Sequence, residues 1–314
     1  MQSIVATYKV VTPLFLSGLD QARAELREPS FKGAMRFWFR AIALPRLADW
    51  QAVKEEEQRI FGSTDTGQGL FLLNIGKNKK VETVTLDWSS KWGKELYGID
   101  YLSYGIISDK KPQREYIKQG ELIRVKIVFR PKTSEKDMET VKLTLIALGL
   151  MGGIGARSRH GFGSLALESL EMNGQEEWNA PRDREQLLCY LKALVYELKI
   201  TSEVLPPYTA FSRTTHIIVS SEESNEMQLL DHIGCEMIKY RSYGRLRGGK
   251  YRLPWGEPAE PNFQEDHHSI YNFAYNRIPV SSHPSRAVFG LPYNYFIKRN
   301  QNRPNDAKVQ VNGI

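Results

Sequence analysis

METVKLTLIALGLMGGIGARSRHGFGSLALESLEM, residues 138–172, decides the fold of this chain. An apolar helical pattern runs directly into a stretch with five glycines, two arginines and a histidine, and a strand pattern follows. A dinucleotide-binding loop has the reverse order, strand before helix, because the helix N-terminus receives the pyrophosphate. The order of elements therefore argues against that function, although residues 161–166 come close to the dinucleotide fingerprint.

Two other nucleotide-binding motifs are incomplete in this stretch. A Walker loop needs a lysine followed by Ser or Thr after its glycines, to hold phosphates and magnesium, and residues 152–165 contain no lysine. HGFGSLAL comes near the RNP1 pattern of RNA-recognition motifs. However, His160 replaces the leading Lys or Arg, and Ser164 and Leu167 replace stacking aromatics.

The residue types of the glycine-rich loop, residues 152–164, favour a binding loop for a phosphate-bearing ligand. Glycines permit positive φ, successive amides can form an anion-binding concavity, and arginine is a planar fork that suits phosphate. The alternative is a helix C-cap and a tight turn with solvated arginines. The candidate contacts are Gly153, Gly155, Arg157, Arg159, His160, Gly161 and Gly163.

The periodicity outside the loop predicts an α+β fold. Strand patterns at 3–16, 69–76, 121–131 and 163–172 enclose helical patterns at 29–47 and 138–151. This is the β-α-β-β-α-β order of a ferredoxin-like (RRM-like) domain, an antiparallel sheet with both helices on one face. We place this domain at 1–175.

The second half has weaker patterns. We predict a linker at 173–185, helices at 185–199 and 225–240, strands at 213–220 and within 286–298, and a loop at 245–268. Residues 176–314 then form a second, diverged ferredoxin-like α+β domain in tandem with the first, and its last strands are not evident in the sequence.

The positive charge is concentrated in two places. The net charge is +7, from 43 Lys+Arg and 36 Asp+Glu, and residues 239–252 contain six cations, three tyrosines and no carboxylate. Cations interleaved with aromatics suit RNA or single-stranded DNA, and the alternative is a solvated loop. One helix face carries three cations, Lys32, Arg36 and Arg40. Because like charges repel one another, helix stability explains this row only if an anion or partner carboxylates lie opposite. The candidate RNA contacts in these two places are Lys32, Arg36, Arg40, Arg241, Arg245, Arg247 and Lys250.

Other sites are less favoured by the sequence. Cys189 and Cys235 are expected to be buried thiols within helices, and we expect no cofactor and no metal. A metal or hydrolytic site at residues 266–268 is disfavoured because adjacent histidines point apart on a strand. The absence of a signal peptide and of a membrane-spanning run predicts a cytoplasmic protein.

Four motifs in order carry a family resemblance: TPLFLSG (12–18), REPSFKGAMRFWFRA (27–41), RIFGST (59–64) and GGIGARSRHGFGSL (152–165). Together they resemble the first subunits of the type III-B CRISPR effector, the Cmr complex, within the RAMP superfamily. FGLPYNYF (289–296) resembles the family more loosely.

The resemblance implies a non-catalytic, tandem ferredoxin-like RNA-binding subunit in antiviral defence. Its expected partners are guide RNA (crRNA), near the guide's 3′ end, complementary target RNA and other Cmr subunits, and the family's catalytic steps belong to other subunits. The motif positions include Lys32, Arg36, Arg40, Arg157, Arg159 and His160. The alternative is a metal-independent RNA endonuclease of the RAMP class that uses His160 as its general acid or base.

Overall fold

The computed structural model describes residues 2–76, 83–84, 96–108, 111–112, 114–200, 206–220, 225–242, 244–260, 262–280, 282–289, 293–297 and 307–311. The chain divides into two compact units, Met1–Leu230 and Asp231–Ile314. The boundary expected from the sequence, after residue 175, lies within the first of these units.

An antiparallel sheet of five strands organises the first unit. Its spatial order is β5-β4-β1-β3-β2, and all four pairings are antiparallel. The strands are β1 (Ser3–Val10), β2 (Phe71–Ile75), β3 (Leu122–Phe129), β4 (Leu165–Met172) and β5 (Gln175–Asn179). Short two-residue strands pair outside this sheet: Gly62–Ser63 with Gly67–Gln68, Thr83–Val84 with Tyr116–Ile117, and Ile107–Ser108 with Lys111–Pro112.

Five helices within the described ranges accompany the sheet. They are α1 (Glu28–Leu47), α2 (Trp50–Phe61), α3 (Tyr97–Leu102), α4 (Glu135–Met151) and α5 (Arg184–Glu197). Elements β1, α1, β2, β3, α4 and β4 follow the predicted β-α-β-β-α-β order, so the predicted α+β class with an antiparallel sheet is confirmed.

The core lies between the sheet and helices α1 and α4. Alternate residues of β1 and β3 are buried against the helices, as the period of two predicts, and exposed Arg124 and Lys126 lie on the opposite face. The Tyr8 hydroxyl is buried and donates to the Leu145 carbonyl at 2.9 Å, which satisfies its hydrogen-bonding need. A smaller cluster on the outer side of α1 and α4 includes Leu194.

Strand β5 lies where the sequence predicted a linker. Asn173 and Gly174 both have positive φ, +55° and +83°, which is the backbone of a two-residue hairpin turn. The turn folds β5 back onto β4, and Trp178 donates from its indole N–H to the Leu167 carbonyl at 3.2 Å. The predicted linker therefore begins with the edge strand of the sheet.

The strand predicted at 213–220 is wrong for this structure, which has no regular element there. The Arg184 side chain donates to the carbonyls of Val219 (3.1 Å) and Ser220 (3.2 Å), so a side chain takes acceptors that a neighbouring strand would use. The apolar residues that suggested a strand are partly or largely exposed, among them Ile218.

The second unit has a helical and a hairpin part. Helix α6 (Glu226–Arg241) begins before the boundary between the units, and β6 (Arg245–Arg247), β7 (Lys250–Arg252), α7 (Gln264–Asn276), β8 (Tyr293–Ile297) and β9 (Ala307–Val311) follow. Strands β6 and β7 pair with each other, as do β8 and β9. The predicted helix at 225–240 and a strand within 286–298 are confirmed, whereas the loop expected at 245–268 contains a hairpin and the start of α7. Both cysteines lie within helices as expected, but Cys189 of α5 is exposed and Cys235 of α6 is only partly buried, so the expected burial is wrong.

None of the helices in the described ranges is long and apolar enough to cross a membrane.

Candidate nucleic-acid interface

The glycine-rich loop is a closed lobe between α4 and β4. Gly152 ends α4 and donates to the Leu148 carbonyl at 2.8 Å. At the base of the lobe, the Ile154 amide donates to the Gly163 carbonyl at 3.0 Å and the Leu165 amide donates to Gly152 at 3.1 Å. These hydrogen bonds hold the two ends of the loop side by side, like the first hydrogen-bonded pairs of a β-hairpin.

The inner side of the lobe packs on the chain that follows β1. The Ala156 amide donates to the Phe15 carbonyl (2.8 Å), and the Gly163 amide donates to Pro13 (2.9 Å). The Thr12 hydroxyl accepts from the Ser164 amide (3.0 Å) and donates to the Gly161 carbonyl (2.6 Å). Because these amides already have protein acceptors, they do not form the anion-binding concavity that the glycines suggested.

Close packing explains why glycines occupy these positions of the loop. Gly155 has a φ of +88°, and a Cβ there would lie 2.5 Å from the Phe15 carbonyl oxygen. Gly163 has a φ of +62°, and its Cβ would overlap the Ile154 carbonyl. A Cβ at Gly153 would lie 2.6 Å from the Gly163 carbonyl oxygen, whereas at Gly161, which has a φ of +87°, it would meet only the end of the Leu230 side chain. The glycines therefore shape the lobe, and their contact with RNA stays a prediction.

Two of the loop's basic side chains hold a neighbouring turn. Arg157, in the left-handed conformation with a φ of +60°, donates to the Tyr104 carbonyl. His160 lies in a short 3₁₀ helix, Ser158–His160, and its Nδ1 is 3.2 Å from the Leu102 carbonyl oxygen. Both side chains therefore fix the segment 102–105 at the C-terminal end of α3, and no sequence motif marks this segment as functional.

Arg159 has a different environment from its two basic neighbours. Its side chain is exposed, and its guanidinium carbon lies 4.8 Å from the centre of the Phe37 ring of α1. Stacking uses the flat face of the guanidinium and leaves the N–H edge available for phosphate oxygens. Arg159 is therefore the loop cation best placed to contact an anion in solvent.

The row of cations on α1 has a carboxylate opposite it. Glu57 of α2 is 9% exposed and accepts from Arg36 at 2.7 Å and from Arg40 at 3.0 Å. Arg36 also donates to the Gly62 carbonyl. Lys32 lies over the Phe71 ring at 5.4 Å, and its pKa is lowered by burial and, to a lesser degree, by Arg36. The Glu57 carboxylate therefore balances the like charges of Arg36 and Arg40 within the protein, and it is the partner carboxylate expected as one alternative from the sequence.

The basic residues of the second unit lie on α6 and on a tight hairpin. Gly248 and Gly249 have φ of +56° and +76°, and their positive φ forms the two-residue turn between β6 and β7. Arg245 and Lys250 are exposed, and Arg241, in the last turn of α6, is partly buried. Arg247 lies in β6, where the register pairs it with Lys250.

The residues considered for a metal or hydrolytic site have a structural role in part. The Asp266 carboxylate is buried and accepts from the amides of Ser285 and Arg286, both at 2.7 Å, at the start of a second 3₁₀ helix, Ser285–Phe289. Across the described residues, no group of three or more His, Cys, Asp or Glu side chains has the arrangement to hold a metal ion.

The order β1, α1, β2, β3, α4 and β4, with a glycine-rich lobe between α4 and β4, is typical of one class of protein. Residues 7–166 match the RAMP superfamily, and the chain belongs to that superfamily.

Within the superfamily the chain is similar, at modest identity, to the Cmr1 subunit of type III-B CRISPR Cmr complexes. It is 28% identical to the CRISPR system Cmr subunit Cmr1-2 of Pyrococcus furiosus over 188 residues, which are 54% of this chain and 97% of the relative. It is 27% identical to Cmr1-1 of the same organism over 270 residues, 82% of this chain and 75% of the relative.

Solved structures share the fold. The crystal structure of apo Cmr1 from Pyrococcus furiosus has a TM-score of 0.57 at 19% identity, and the match covers 94% of this chain and 83% of that one. A chain in a cryo-EM structure of the type III-B Cmr-beta complex bound to cognate target RNA has a TM-score of 0.50 at 13% identity, covering 77% and 74%.

Proposed function

We propose that this chain is a non-catalytic RNA-binding subunit of a type III-B CRISPR ribonucleoprotein effector in antiviral defence. It binds guide RNA near the 3′ end of the guide, complementary target RNA, or both, and it assembles with other Cmr subunits in the cytoplasm. The observation that carries the proposal is the similarity to two Cmr1 subunits, one of which is aligned with 82% of the chain.

The family match supports an RNA role for the first unit in particular. It spans residues 7–166 and so contains α1, α2 and the whole glycine-rich loop. A loop that is kept in shape by its own glycines, and that holds an exposed arginine on an aromatic ring, provides a rigid cation for a phosphodiester backbone. The other basic residues add a charge field that attracts RNA.

Exposure and contacts divide the proposed RNA-binding cations into two groups, apart from Arg247, whose side chain lies outside the described part of the structure. Arg159, Arg245 and Lys250 are exposed and are proposed as direct phosphate contacts. The others, which are partly buried or hydrogen-bonded within the protein, are proposed to position the RNA-binding surface or to contact RNA with their remaining N–H groups: Lys32, Arg36, Arg40, Arg157, His160 and Arg241.

We further propose that the chain consists of two tandem ferredoxin-like domains, 1–175 and 176–314. The order of β1, α1, β2, β3, α4 and β4 supports the first of them. The paired strands and helices of the second compact unit are consistent with a diverged second copy.

The test is the salt dependence of RNA binding. The full chain is titrated with a fluorescent guide-like single-stranded RNA at salt concentrations from roughly 50 to 300 mM. This range is wide enough to measure the slope of log K against log salt. Each phosphate contact contributes about 0.7 to the slope of log K against log salt for a single strand, so Arg159→Gln is expected to lower it by about 0.7.

Lys136→Gln is the matched control. Lys136 is exposed in the first turn of α4, about 24 Å along the helix axis from the loop at its other end. An equal slope for wild type, Arg159→Gln and Lys136→Gln would refute the phosphate contact, and a wild-type chain that binds no RNA would refute the proposed function. Sequencing of RNA that co-purifies with the tagged chain from its host then identifies the strand.

A further inference from the structure

An exposed tyrosine lies at the tip of the turn that the glycine-rich loop holds. Tyr104 is 78% exposed, whereas Ser103 before it is fully buried and Ile106 is 2% exposed. The Ile106 amide donates to the Ser103 carbonyl at 2.8 Å and closes the turn, and Gly105 has a φ of +84°. Buried residues on both sides therefore fix a turn whose tip carries an aromatic ring into solvent.

The loop fastens this turn from two directions. Arg157 donates to the carbonyl of Tyr104 itself, and the His160 ring contacts the Leu102 carbonyl at 3.2 Å. A Cβ at Gly105 would lie 3.2 Å from an Arg157 guanidinium nitrogen, so the arginine also packs closely on the turn. The backbone of Tyr104 is thus held directly beside the segment that carries Arg159.

We propose that Tyr104 is a base-stacking residue for single-stranded RNA, next to the phosphate contact of Arg159. The inference rests on the proposed function, and it assigns to RNA a residue outside the glycine-rich loop and outside the basic clusters. A single exposed tyrosine is common on protein surfaces. Here its backbone is held by two side chains of the loop proposed to bind RNA, and such anchoring keeps an aromatic ring in place for a ligand.

The chemistry of the site favours a nucleobase over a protein partner. Every base can stack on an aromatic ring because every base has a π-face. A nearby cation can bind the phosphate of the same nucleotide. The side chains that hold the turn are Arg157 and His160, and Arg159 belongs to the same short segment of the loop. Such a combination suits a polyanion with flat bases and no strict sequence preference.

The experiment compares Tyr104→Ala and Tyr104→Phe in the full chain with the same fluorescent single-stranded RNA. Loss of one stacked base costs about 1–3 kcal/mol, so Tyr104→Ala is expected to weaken binding about tenfold. Tyr104→Phe keeps the ring and is expected to bind as wild type. The salt slope of Tyr104→Ala should equal that of wild type, because stacking involves no phosphate.

Tyr196→Ala is the matched control, since Tyr196 is 80% exposed on α5 of the same unit and is expected to be dispensable for binding. A second readout uses RNAs with single 2-aminopurine substitutions. Stacking on Tyr104 should change the fluorescence of the base at one position, and Tyr104→Ala should abolish that change.

The outcomes separate the two proposals. If wild type binds RNA with an Arg159-dependent slope while Tyr104→Ala binds equally well, the stacking role is overturned and the proposed function stands. If Tyr104→Phe loses as much affinity as Tyr104→Ala, the ring is not the determinant and the inference is also overturned. If wild type does not bind RNA, the proposed function fails and the inference fails with it.

Discussion

The guanidinium of Arg157 donates a hydrogen bond to the backbone carbonyl of Tyr104, 53 residues earlier in the chain. This bond joins the glycine-rich loop to the turn after α3, and it gives Arg157 a role inside the protein. Arg159, two residues further on, is exposed and stacked on Phe37. Two arginines that look equivalent in the sequence therefore have different environments.

We expect Arg157→Ala to loosen the turn. Without the arginine, the Ile106 amide should exchange with deuterium faster, because its bond to Ser103 loses a support. RNA affinity should fall through misplacement of Tyr104, whereas the salt slope should stay at the wild-type value. Hydrogen exchange and salt titration measure the two effects. A slope lowered by about 0.7 would instead make Arg157 a phosphate contact.

Gly163→Ala is expected to lower the free energy of unfolding of the first unit by about 2–5 kcal/mol. An L-residue in the left-handed region costs about 1–2 kcal/mol, and overpacking against the Ile154 carbonyl adds a further 1–3 or so. Gly174→Ala is the control, because Gly174 also has a positive φ, +83°, but has no atom within 4 Å of an added Cβ. Chemical denaturation measures both, and equal losses would contradict the packing role of the loop glycines.

Arg40→Gln is expected to act on stability more than on RNA binding. Its guanidinium donates to both carboxylate oxygens of Glu57 at 3.0 Å, and a hydrogen bond to a charged group contributes about 1.5–3 kcal/mol when it is shielded from water. Partial exposure of Arg40 reduces the expected loss to about 1 kcal/mol. Arg46→Gln, an exposed position in the last turn of the same helix, is the control. A fall in the salt slope on replacing Arg40 would identify it as a phosphate contact.

The ion pair between Arg59 and Asp137 predicts a pH dependence of stability. The Arg59 guanidinium lies 2.5 Å from Asp137, and its hydrogen bond lowers the pKa of that carboxyl below the ordinary value, although burial opposes the shift. A group with a lowered folded-state pKa stabilises the protein above its unfolded pKa, about 3.9, and the contribution is lost as the pH falls through the folded value. Asp137→Asn should therefore cost about 1–2 kcal/mol at pH 7.

The difference between wild type and Asp137→Asn should begin to shrink below about pH 4, where the carboxyl of the unfolded chain takes up its proton, and should be lost as the pH falls through the lowered pKa of the folded state. Urea denaturation at several pH values measures it. Glu135→Gln, in the same first turn of α4 but exposed, should show a much smaller pH-dependent difference. A gap between wild type and Asp137→Asn that is constant from pH 7 to pH 3 or so would refute the linkage.

For His160 we expect no nuclease activity. Its Nδ1 lies against the Leu102 carbonyl, which indicates a role in holding the turn. Labelled repeat RNA incubated with the pure chain and a metal chelator should stay intact, with wild type and with His160→Ala. A discrete product that appears with wild type and is lost in His160→Ala would establish the endonuclease alternative, because a general acid or base is then required.

Local patterns predicted the elements of the first unit but not the positions where distant partners decide the structure. The alternation of apolar and polar residues in β1 and β3 matches the structure because one face of each strand is buried. The strand expected at 213–220 is absent, and Arg184 takes the carbonyls of Val219 and Ser220 there. The linker expected at 173–185 contains β5 because of the Asn173 and Gly174 turn. Arg184 lies 35 residues from Val219 and is not visible in a window of neighbouring residues, whereas the Asn173 and Gly174 turn is a local hairpin signal that the linker prediction missed.

The sequence by itself determined the α+β order, the glycine-rich loop between α4 and β4, and the RAMP resemblance, because periodicity and motif order are local properties of the chain. The tertiary structure alone decided what each cation does. Glu57 lies opposite Arg36 and Arg40, the Tyr104 carbonyl accepts from Arg157, and Phe37 supports Arg159. The function of a charged side chain depends on the partner that folding brings within a few ångströms, and charge alone does not specify that partner.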